Sequence, residues 1–589
     1  MRWSLDELYP SFDSQEFLTD FDKLDKLIGD FAKWAGDSLV SLDNPIEKLE
    51  YYIDFSVKIS NLYSKLGAYA NLSSSTNARD EKALEYLDKL SLKGTELTKP
   101  EVQFKNFLKD LPDLEDLVGK SDLLNKHKFY LAQIKESTKY LLSEKEEIII
   151  SKMKNTGSTA WSNLQDKITS TLMVDIDLDG EDKQLPLAMV RNLAYDKDEK
   201  IRKTAYEAEL KAYEKVEESS AAALNGIKGE VITTSELRGF ESPLSETLFK
   251  SRMNKESLDS MLIAMEEFLP AFHRYFKKKA EILGHQDGLP FYDLFAPLGQ
   301  VDRRFTYEEA INYIVKNFRT FSDRLADFVQ EAYDNNWLDV EPRDGKRGGA
   351  FCSNLHPIGE SRILANFDGS FSNMITLAHE LGHGYHGLNL RNESILNSRY
   401  PMPIAETASI FCETIVTNAA LKDASDEEAL GILESSISDA AQVIVDIYSR
   451  FLFESELFNR RKESSLPVKE LKDIMMDAQK KSYGNGLDHS VLHPYMWLNK
   501  PHYYSAGLNF YNFPYAFGLL FAKGLYAEYL STGESFVKEY DELLNATGKN
   551  NIKDVADMMN IDIHKPDFFR SSLKLIEKDI DRFIELADR

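Results

Sequence analysis

Residues 379–383 read His-Glu-Leu-Gly-His, which is the H-E-x-x-H spacing of two histidines with a glutamate after the first. On a helix, residues i and i+4 lie about 40° apart around the axis, so both imidazoles can reach one metal ion. Glu380 lies about 100° round from His379, where its carboxylate can accept a proton from water at the metal. The alternative is a surface helix with two solvated histidines. Leu377 and Leu381 argue against it, because a largely apolar helix that carries ionisable groups needs a cation to compensate them.

A catalytic zinc site usually takes a third protein ligand. A third histidine six residues after the motif is excluded, because Asn389 stands there. Glu406 is the favoured candidate, because Pro401 and Pro403 mark the start of an apolar helix in which an uncompensated carboxylate is costly. The alternative for this glutamate is a favourable interaction with the helix dipole alone. Glu413, two turns further on, could ligate instead, although its position favours accepting the free N–H of a ligating histidine.

Three other residues of the motif helix allow predictions about its packing. Gly382 and Gly384 lower helix stability, which predicts that a second helix packs closely over the first. His386 is two turns from His379, about 10 Å along the axis, and is too far away to bind the same ion. Two roles stay open for it, lining a cleft or satisfying a core contact.

A second group of histidine and tyrosine residues lies in two short segments, 500–504 and 510–515. Such side chains can donate hydrogen bonds to an oxyanion that develops opposite a metal. The alternative is aromatic core packing, which composition alone favours.

The elements that must position these residues are mainly helical. Apolar residues recur at three- and four-residue spacing among Lys and Glu, which predicts helices over 14–37, 45–70, 79–109, 122–154, 196–236 and 255–283. Strand patterns are few and fall at 173–178, 347–355 and 362–367. The last two are close enough to form one small sheet beside the metal-binding helix. We predict an N-terminal helical domain over 1–200 and a catalytic domain over 201–589.

Composition narrows the class of protein. The chain has 589 residues, and 97 acidic against 71 basic side chains give a formal charge of −26. This balance argues against nucleic acid or an anionic membrane as the main partner. Two cysteines exclude a disulfide framework and a cysteine-rich zinc site. With no signal peptide over 1–12 and no long apolar run, we expect a cytoplasmic protein.

The chain resembles the M3 family of metallopeptidases, and within it the oligoendopeptidase F group. The resemblance rests on residues 376–386, on Ala-Glu-Thr at 405–407, on the histidine and tyrosines of 502–515, and on segments 3–10, 345–351 and 366–369. It implies a two-halved, mainly helical fold that encloses a deep channel. It also implies one zinc ion per chain at the floor of that channel, and short peptides as substrates.

The resemblance also implies roles for single residues. His379, His383 and Glu406 would ligate the zinc and Glu380 would be the general base. His502 would bind substrate, and the oxyanion would be held by two tyrosines, Tyr511 and Tyr515.

Two residues depart from the family pattern, and one segment follows it. Asn373 and Phe513 depart from the family pattern, which often has an acid and a tyrosine there. Gly348-Gly349 resembles the edge-strand segment that would pair with substrate backbone.

We therefore predict a zinc-dependent endopeptidase that hydrolyses internal bonds of short oligopeptides. Two alternatives stay open: a helical metallocarboxypeptidase, and a non-catalytic peptide-binding protein with a structural metal. A closed structural site would want four protein ligands, whereas three can be named. The sequence makes no prediction of the oligomeric state.

Overall fold

The computed structural model describes residues 1–178, 180–299, 301 and 303–589, with residue 144 described by its backbone alone. Helices dominate this part of the chain, which confirms the predicted mainly helical fold. The helices are α1 Gln15–Ser38, α2 Pro45–Thr76, α3 Glu81–Glu96, α4 Thr98–Asp110, α5 Leu114–Val118, α6 Asp122–Lys126, α7 Lys128–Ser137, α8 Glu144–Thr156, α9 Ser158–Thr171, α10 Leu187–Asn192, α11 Glu199–Tyr213, α12 Glu217–Arg238, α13 Pro243–Lys250, α14 Lys255–Ile282, α15 Tyr307–Arg319, α16 Asp323–Asp334, α17 Phe371–Leu390, α18 Thr407–Asp423, α19 Asp426–Ala441, α20 Ile447–Arg461, α21 Val468–Tyr483, α22 Phe513–Thr532, α23 Ser535–Ala546, α24 Ile552–Asp557 and α25 Pro566–Ala587. The strands are β1 Met173–Leu178, β2 Glu181–Pro186, β3 Leu338–Asp339, β4 Phe351–Leu355 and β5 Glu360–Leu364.

Several predicted helices are interrupted. The segment 79–109 forms α3 and α4, with the break at Leu97, and the segment 196–236 forms α11 and α12, with the break over 214–216. The apolar spacing continues across each break, so periodicity alone does not reveal it.

The chain divides into two compact units, each built from three segments. Unit 1 contains Met1–Leu141, Asp302–Ala420 and Glu528–Asn560, and unit 2 contains Leu142–Val301, Leu421–Ala527 and Ile561–Arg589. This division differs from the predicted boundary at residue 200, because the chain leaves and re-enters each unit. A boundary at 200 between sequence domains stays a prediction.

Each unit has its own apolar core. In unit 1, aromatic side chains of α1 and α2 pack with α4, as in the stacked pair Tyr52 and Phe104. In unit 2, buried residues of α11, α12, α20 and α21 surround Trp497, which is fully buried.

A three-stranded sheet of unit 1 packs on α17. The strand order is β3-β5-β4, with β3 parallel and β4 antiparallel to β5, and Cys352 pairs with Ile363. Strands β4 and β5 both contact α17. The predicted small sheet beside the motif helix is therefore present.

The β1–β2 hairpin of unit 2 is a second sheet, of which only β1 was predicted. Val174 and Ile176 of β1 are buried, whereas β2 is exposed along most of its length. A strand without a buried face lacks the alternating apolar pattern that prediction relies on.

The described helices include none that combines the length and apolar character needed to cross a membrane.

Candidate metal centre

Helix α17 carries the motif histidines. Its N-cap is Ser370, whose hydroxyl accepts the backbone N–H of Asn373, and the preceding Gly369 has φ +86°. That left-handed conformation favours glycine and turns the chain from β5 into the helix. The Asn373 carboxamide oxygen accepts the backbone N–H of Asp368 at 2.7 Å, so the asparagine orders this turn.

The first turn of α18 crosses α17 at Gly382. A Cβ atom added to Gly382 would lie 2.6 Å from the carbonyl oxygen of Ala408 and 2.6 Å from Cα of Ser409. Glycine is required here because no side chain fits between the two backbones. At Gly384 the close neighbour is instead the ring of Phe328 in α16. The expected close packing of a second helix therefore holds at Gly382, and at Gly384 a different helix fills the space.

The structure brings His379, His383 and Glu406 together. Glu406 Oε2 lies 3.2 Å from Nε2 of His379 and 3.3 Å from Nε2 of His383. The candidate ligand atoms of the three residues all lie within 4.8 Å of one another, and each residue is partly buried. Two imidazole nitrogens and one carboxylate oxygen in this arrangement fit a divalent cation such as zinc.

Two neighbouring side chains hold candidate ligands in place, one as a hydrogen-bond acceptor and one as a donor. The Glu413 carboxylate lies 3.3 Å from Nδ1 of His379, on the side of the ring away from Glu406. Ser409 donates its hydroxyl to Glu406 Oε2 at 2.8 Å. Sequence reasoning named Glu413 as the acceptor for a ligating histidine, but it missed Ser409, whose three-residue offset from Glu406 was the available signal.

The charges of the site act strongly on one another. Burial by itself would lower the pKa of His379, but hydrogen bonds to Glu406 and Glu413 raise it to about 10. Burial would raise the pKa of Glu406, but the two histidines hold it well below its usual range. The carboxylates of Glu406 and Glu413 are therefore stabilised by positive charge near His379, and a bound metal ion would supply that charge.

Glu380 follows His379 on α17 and is 7% exposed. It is absent from the three-residue ligand cluster. Burial raises the pKa of its carboxyl group, and the charges of the two histidines partly oppose that rise. A hydrogen bond from the backbone of Cys352 in β4 links Glu380 to the neighbouring sheet.

His386 belongs to the core of unit 1. Its ring stacks on Tyr400 with centroids 4.0 Å apart, and its Nε2 lies 2.9 Å from the Thr547 hydroxyl. The side chain is fully buried, and burial lowers its pKa to about 3. Of the two roles left open by the sequence, the structure selects the core contact.

The Gly348-Gly349 segment is a bend that precedes β4, and the expectation of a strand there is wrong. Gly349 has φ +78°, which lies outside the extended region. The carboxamide of Asn366 donates to the carbonyl oxygens of Arg347 and Gly349 and holds the bend. Strand β4 is itself at the edge of the sheet, since β5 lies on one side of it only.

His502, Tyr511 and Tyr515 form a separate cluster in unit 2. The rings of His502 and Tyr511 stack with centroids 4.7 Å apart, and the hydroxyls of Tyr511 and Tyr515 are 2.9 Å apart. Burial, together with the nearby positive charges of Arg450 and Lys500, lowers the pKa of His502.

A buried ion pair anchors the loop before these tyrosines. Lys228 Nζ lies 2.7 Å from Glu454 and 2.9 Å from the carboxamide oxygen of Asn509. Glu454 also accepts the backbone N–H of Phe510, which has φ +52°. Sequence reasoning missed this pair, because its members are far apart in the chain.

Known proteins match this chain along nearly its whole length. The sequence model for peptidase family M3 matches residues 192–575, and that for Oligopeptidase F matches residues 99–173. Oligopeptidase PepF of Bacillus subtilis is 25% identical over 99% of this chain and 87% of its own length. Group B oligopeptidase PepB of Streptococcus agalactiae is 24% identical over 100% of this chain and 96% of its own.

The fold is also similar to solved structures. The crystal structure of oligoendopeptidase-F from Enterococcus faecium aligns with a TM-score of 0.73 at 18% identity, over 97% of this chain and 99% of that one. With the family sequence model matching well over half of the chain, this protein belongs to peptidase family M3 and is a metalloendopeptidase.

Proposed function

We propose that this chain is a zinc-dependent oligopeptidase that hydrolyses internal peptide bonds of short peptides. The observation that carries the proposal is the convergence of His379, His383 and Glu406, with Glu380 beside them and outside the ligand set. Three protein ligands leave a coordination position open, which is typical of catalytic zinc and not of structural zinc. The relatives named oligopeptidases supply the substrate class.

The metal would be held by two imidazoles and one carboxylate, one ion per chain. When bound, zinc makes water more acidic and polarises a carbonyl group. Glu413 would hold the ring of His379 in place through its Nδ1, and Ser409 would orient Glu406.

Glu380 would act as the general base. Its position on α17, next to a ligand and shielded from solvent, suits a carboxylate that takes a proton from the attacking water. The same carboxyl group would then deliver that proton to the leaving amine.

The cluster of unit 2 would supply polar donors to the substrate. We assign His502 to substrate binding and the hydroxyls of Tyr511 and Tyr515 to the oxyanion. The loop anchored by Lys228 and Glu454 would fix the position of the first tyrosine.

The test compares Glu380→Gln with the parent enzyme and with Glu331→Gln, a matched change at an exposed glutamate of α16. Glu380→Gln should keep its zinc, measured by metal analysis, and lose cleavage of a short peptide. Glu331→Gln should keep both. Turnover by Glu380→Gln comparable to the parent would refute the assignment of the base.

Cleavage of different substrates distinguishes the proposed endopeptidase from its alternatives. A peptide with a free C-terminus and its amide should be cut at the same internal bond, whereas a carboxypeptidase would require the free carboxylate. A metal-loaded protein that cuts neither peptide would be a binding protein with a structural metal. Reduced casein should be cut slowly compared with short peptides, and rapid cutting at many sites would indicate a general endoprotease.

A further inference from the structure

A cavity of about 280 Å³ lies within unit 2, and none of the residues assigned to the reaction above lines it. Its walls come from α10, α11 and α20, the short 3₁₀ turn Phe291–Asp293, the π-helical turn Gln442–Asp446 and the loop that carries Lys500. Single π-helical turns inserted between α-helices are common at functional sites. The volume lies at the lower end for ligand pockets, so an occupant would be small.

The cavity wall carries one positive charge in excess. Each of its three arginines faces one carboxylate: Arg191 faces Glu209 at 3.3 Å, Arg202 faces Asp293 at 2.7 Å, and Arg450 faces Asp446. Lys500 is the fourth cation of the wall; among the described residues no salt bridge joins it to an acidic side chain, and the carboxylates of Asp446 and Glu209 act on it from longer range. A partly buried ammonium without a carboxylate in contact is costly unless a ligand supplies one.

Two residues of the wall also carry buried polar atoms without a hydrogen-bond partner. Both ring nitrogens of His493, which is 2% exposed, lack a hydrogen-bond partner, and so does Nε of Arg450. His493 Nε2 lies 3.7 Å from Glu209, which is beyond hydrogen-bond distance. These atoms are buried from solvent, so they lie behind the cavity surface and do not contact an occupant; the charge of the wall is what selects it.

The rest of the wall is apolar and aromatic. Tyr206, Phe291, Phe295 and Met496 line the cavity, so an occupant would also offer an apolar group. A single excess positive charge in the wall is balanced by one negative charge on an occupant.

We propose that this cavity binds a small monocarboxylate of amino-acid to dipeptide size, with Lys500 as the counter-ion of the carboxylate. Binding needs no bond to form or break, and no metal ligand lines the cavity. Because the test reads binding and zinc content and not cleavage, failure of this inference can be told apart from failure of the proposed peptidase activity.

The pH dependence of binding follows from the groups that face Lys500. Burial, with the positive charges of Arg450 and Arg191, lowers the pKa of Lys500 to about 8, and Asp446 and Glu209 oppose that change. The ammonium form is needed to hold a carboxylate. Affinity should therefore fall as the pH rises through about 8.

The test measures binding of phenylalanine, the dipeptide Gly-Phe and Gly-Phe amide to the zinc-loaded full chain by calorimetry. The amino acid and the dipeptide are the two candidate sources of the carboxylate, and the amide lacks it. Lys500→Met should weaken binding of the better carboxylate by about 10–100-fold, as expected for the loss of a charge-assisted hydrogen bond. The matched control Lys469→Met, at a lysine whose side chain is 87% exposed, should change nothing.

A second variant guards against binding at the zinc itself. Ala194→Trp places a large ring in the cavity wall without altering any charge, and it should abolish the same binding while zinc content stays unchanged. Equal affinity of the parent, Lys500→Met and Ala194→Trp would overturn the proposal, as would equal affinity for Gly-Phe and its amide. No binding of either carboxylate to the parent would mean that water alone fills the cavity.

Discussion

Gly382→Ala tests whether the close contact of α17 with α18 holds the Glu406 carboxylate against the histidines. The added Cβ would lie 2.6 Å from backbone atoms of Ala408 and Ser409, whereas ordinary contacts between such atoms are about 3.5–4.0 Å. The two helices must therefore separate by about 1 Å. Because α18 begins at the residue after Glu406, the same movement displaces that carboxylate.

Two opposing effects set the change in the free energy of unfolding. Replacing glycine by alanine inside a helix stabilises it by about 1 kcal/mol. Overpacking costs about 1–3 kcal/mol, and the upper end applies here because backbone atoms cannot rotate out of the way. We expect a net destabilisation of about 1–2 kcal/mol for Gly382→Ala.

The effect on the metal centre should be larger than the effect on stability. The Oε2–Nε2 separations of 3.2 and 3.3 Å bring Glu406 into a ligand set that a displacement of about 1 Å would spoil. A misplacement of that size can cost about 100-fold in rate. Chelator competition measures the zinc affinity, urea denaturation measures the stability, and cleavage of a short peptide measures the rate.

The matched control is Gly29→Ala in α1, where no atom outside the backbone of that helix lies within 4 Å of the added Cβ. It should stabilise the protein by about 0.5–1 kcal/mol and leave zinc affinity unchanged. If Gly382→Ala behaves like this control in all three measurements, then close helix contact does not position Glu406.

Two further predictions concern side chains that support the site. Glu413→Ala should weaken zinc affinity by about 10–100-fold in chelator competition, because it removes the carboxylate that lies 3.3 Å from His379 Nδ1. The site should still bind zinc; complete loss of metal would make Glu413 a ligand. Lys228→Met should lower the free energy of unfolding by about 3–5 kcal/mol in urea, because it leaves Glu454 buried without a partner, and adding Glu454→Met should recover most of that loss. Equal losses in the single and double variants would contradict the pairing. In Lys228→Met kcat should fall more than KM rises, since the ion pair anchors Phe510 and the loop that leads to the tyrosines. An unchanged kcat would show that the loop holds its position without the pair.

The convergence of the three candidate metal ligands could be predicted because much of their geometry is local in sequence. Helical spacing by itself fixes the angle between His379 and His383, whatever the rest of the fold does. Glu406 follows by chemical reasoning, since a carboxylate in an apolar helix needs a cation and this motif lacks a third histidine. The contact of Glu413 with His379 follows from the same spacing, two turns along α18.

Other parts of the structure depend on contacts that spacing cannot supply. The break between α11 and α12 falls inside a continuous apolar pattern, and β2 is a strand without a buried face. The pairing of Lys228 with Glu454 joins residues more than two hundred positions apart, and each is an ordinary charged residue of a helix when read alone. Such partners are visible only once the fold brings them together.

The two groups of candidate residues lie in different units and are held in place in different ways. All residues assigned to the metal lie in one unit, within a single stretch from α17 to the first turns of α18, so one local geometry accounts for all of them. The aromatic cluster lies in the other unit, where a lysine and a glutamate from two different helices hold the loop that precedes Tyr511. Its position therefore depends on long-range packing. A substitution that loosens that packing acts on the tyrosines and changes no candidate metal ligand, so zinc affinity should stay unchanged while turnover falls if the tyrosines have the proposed role.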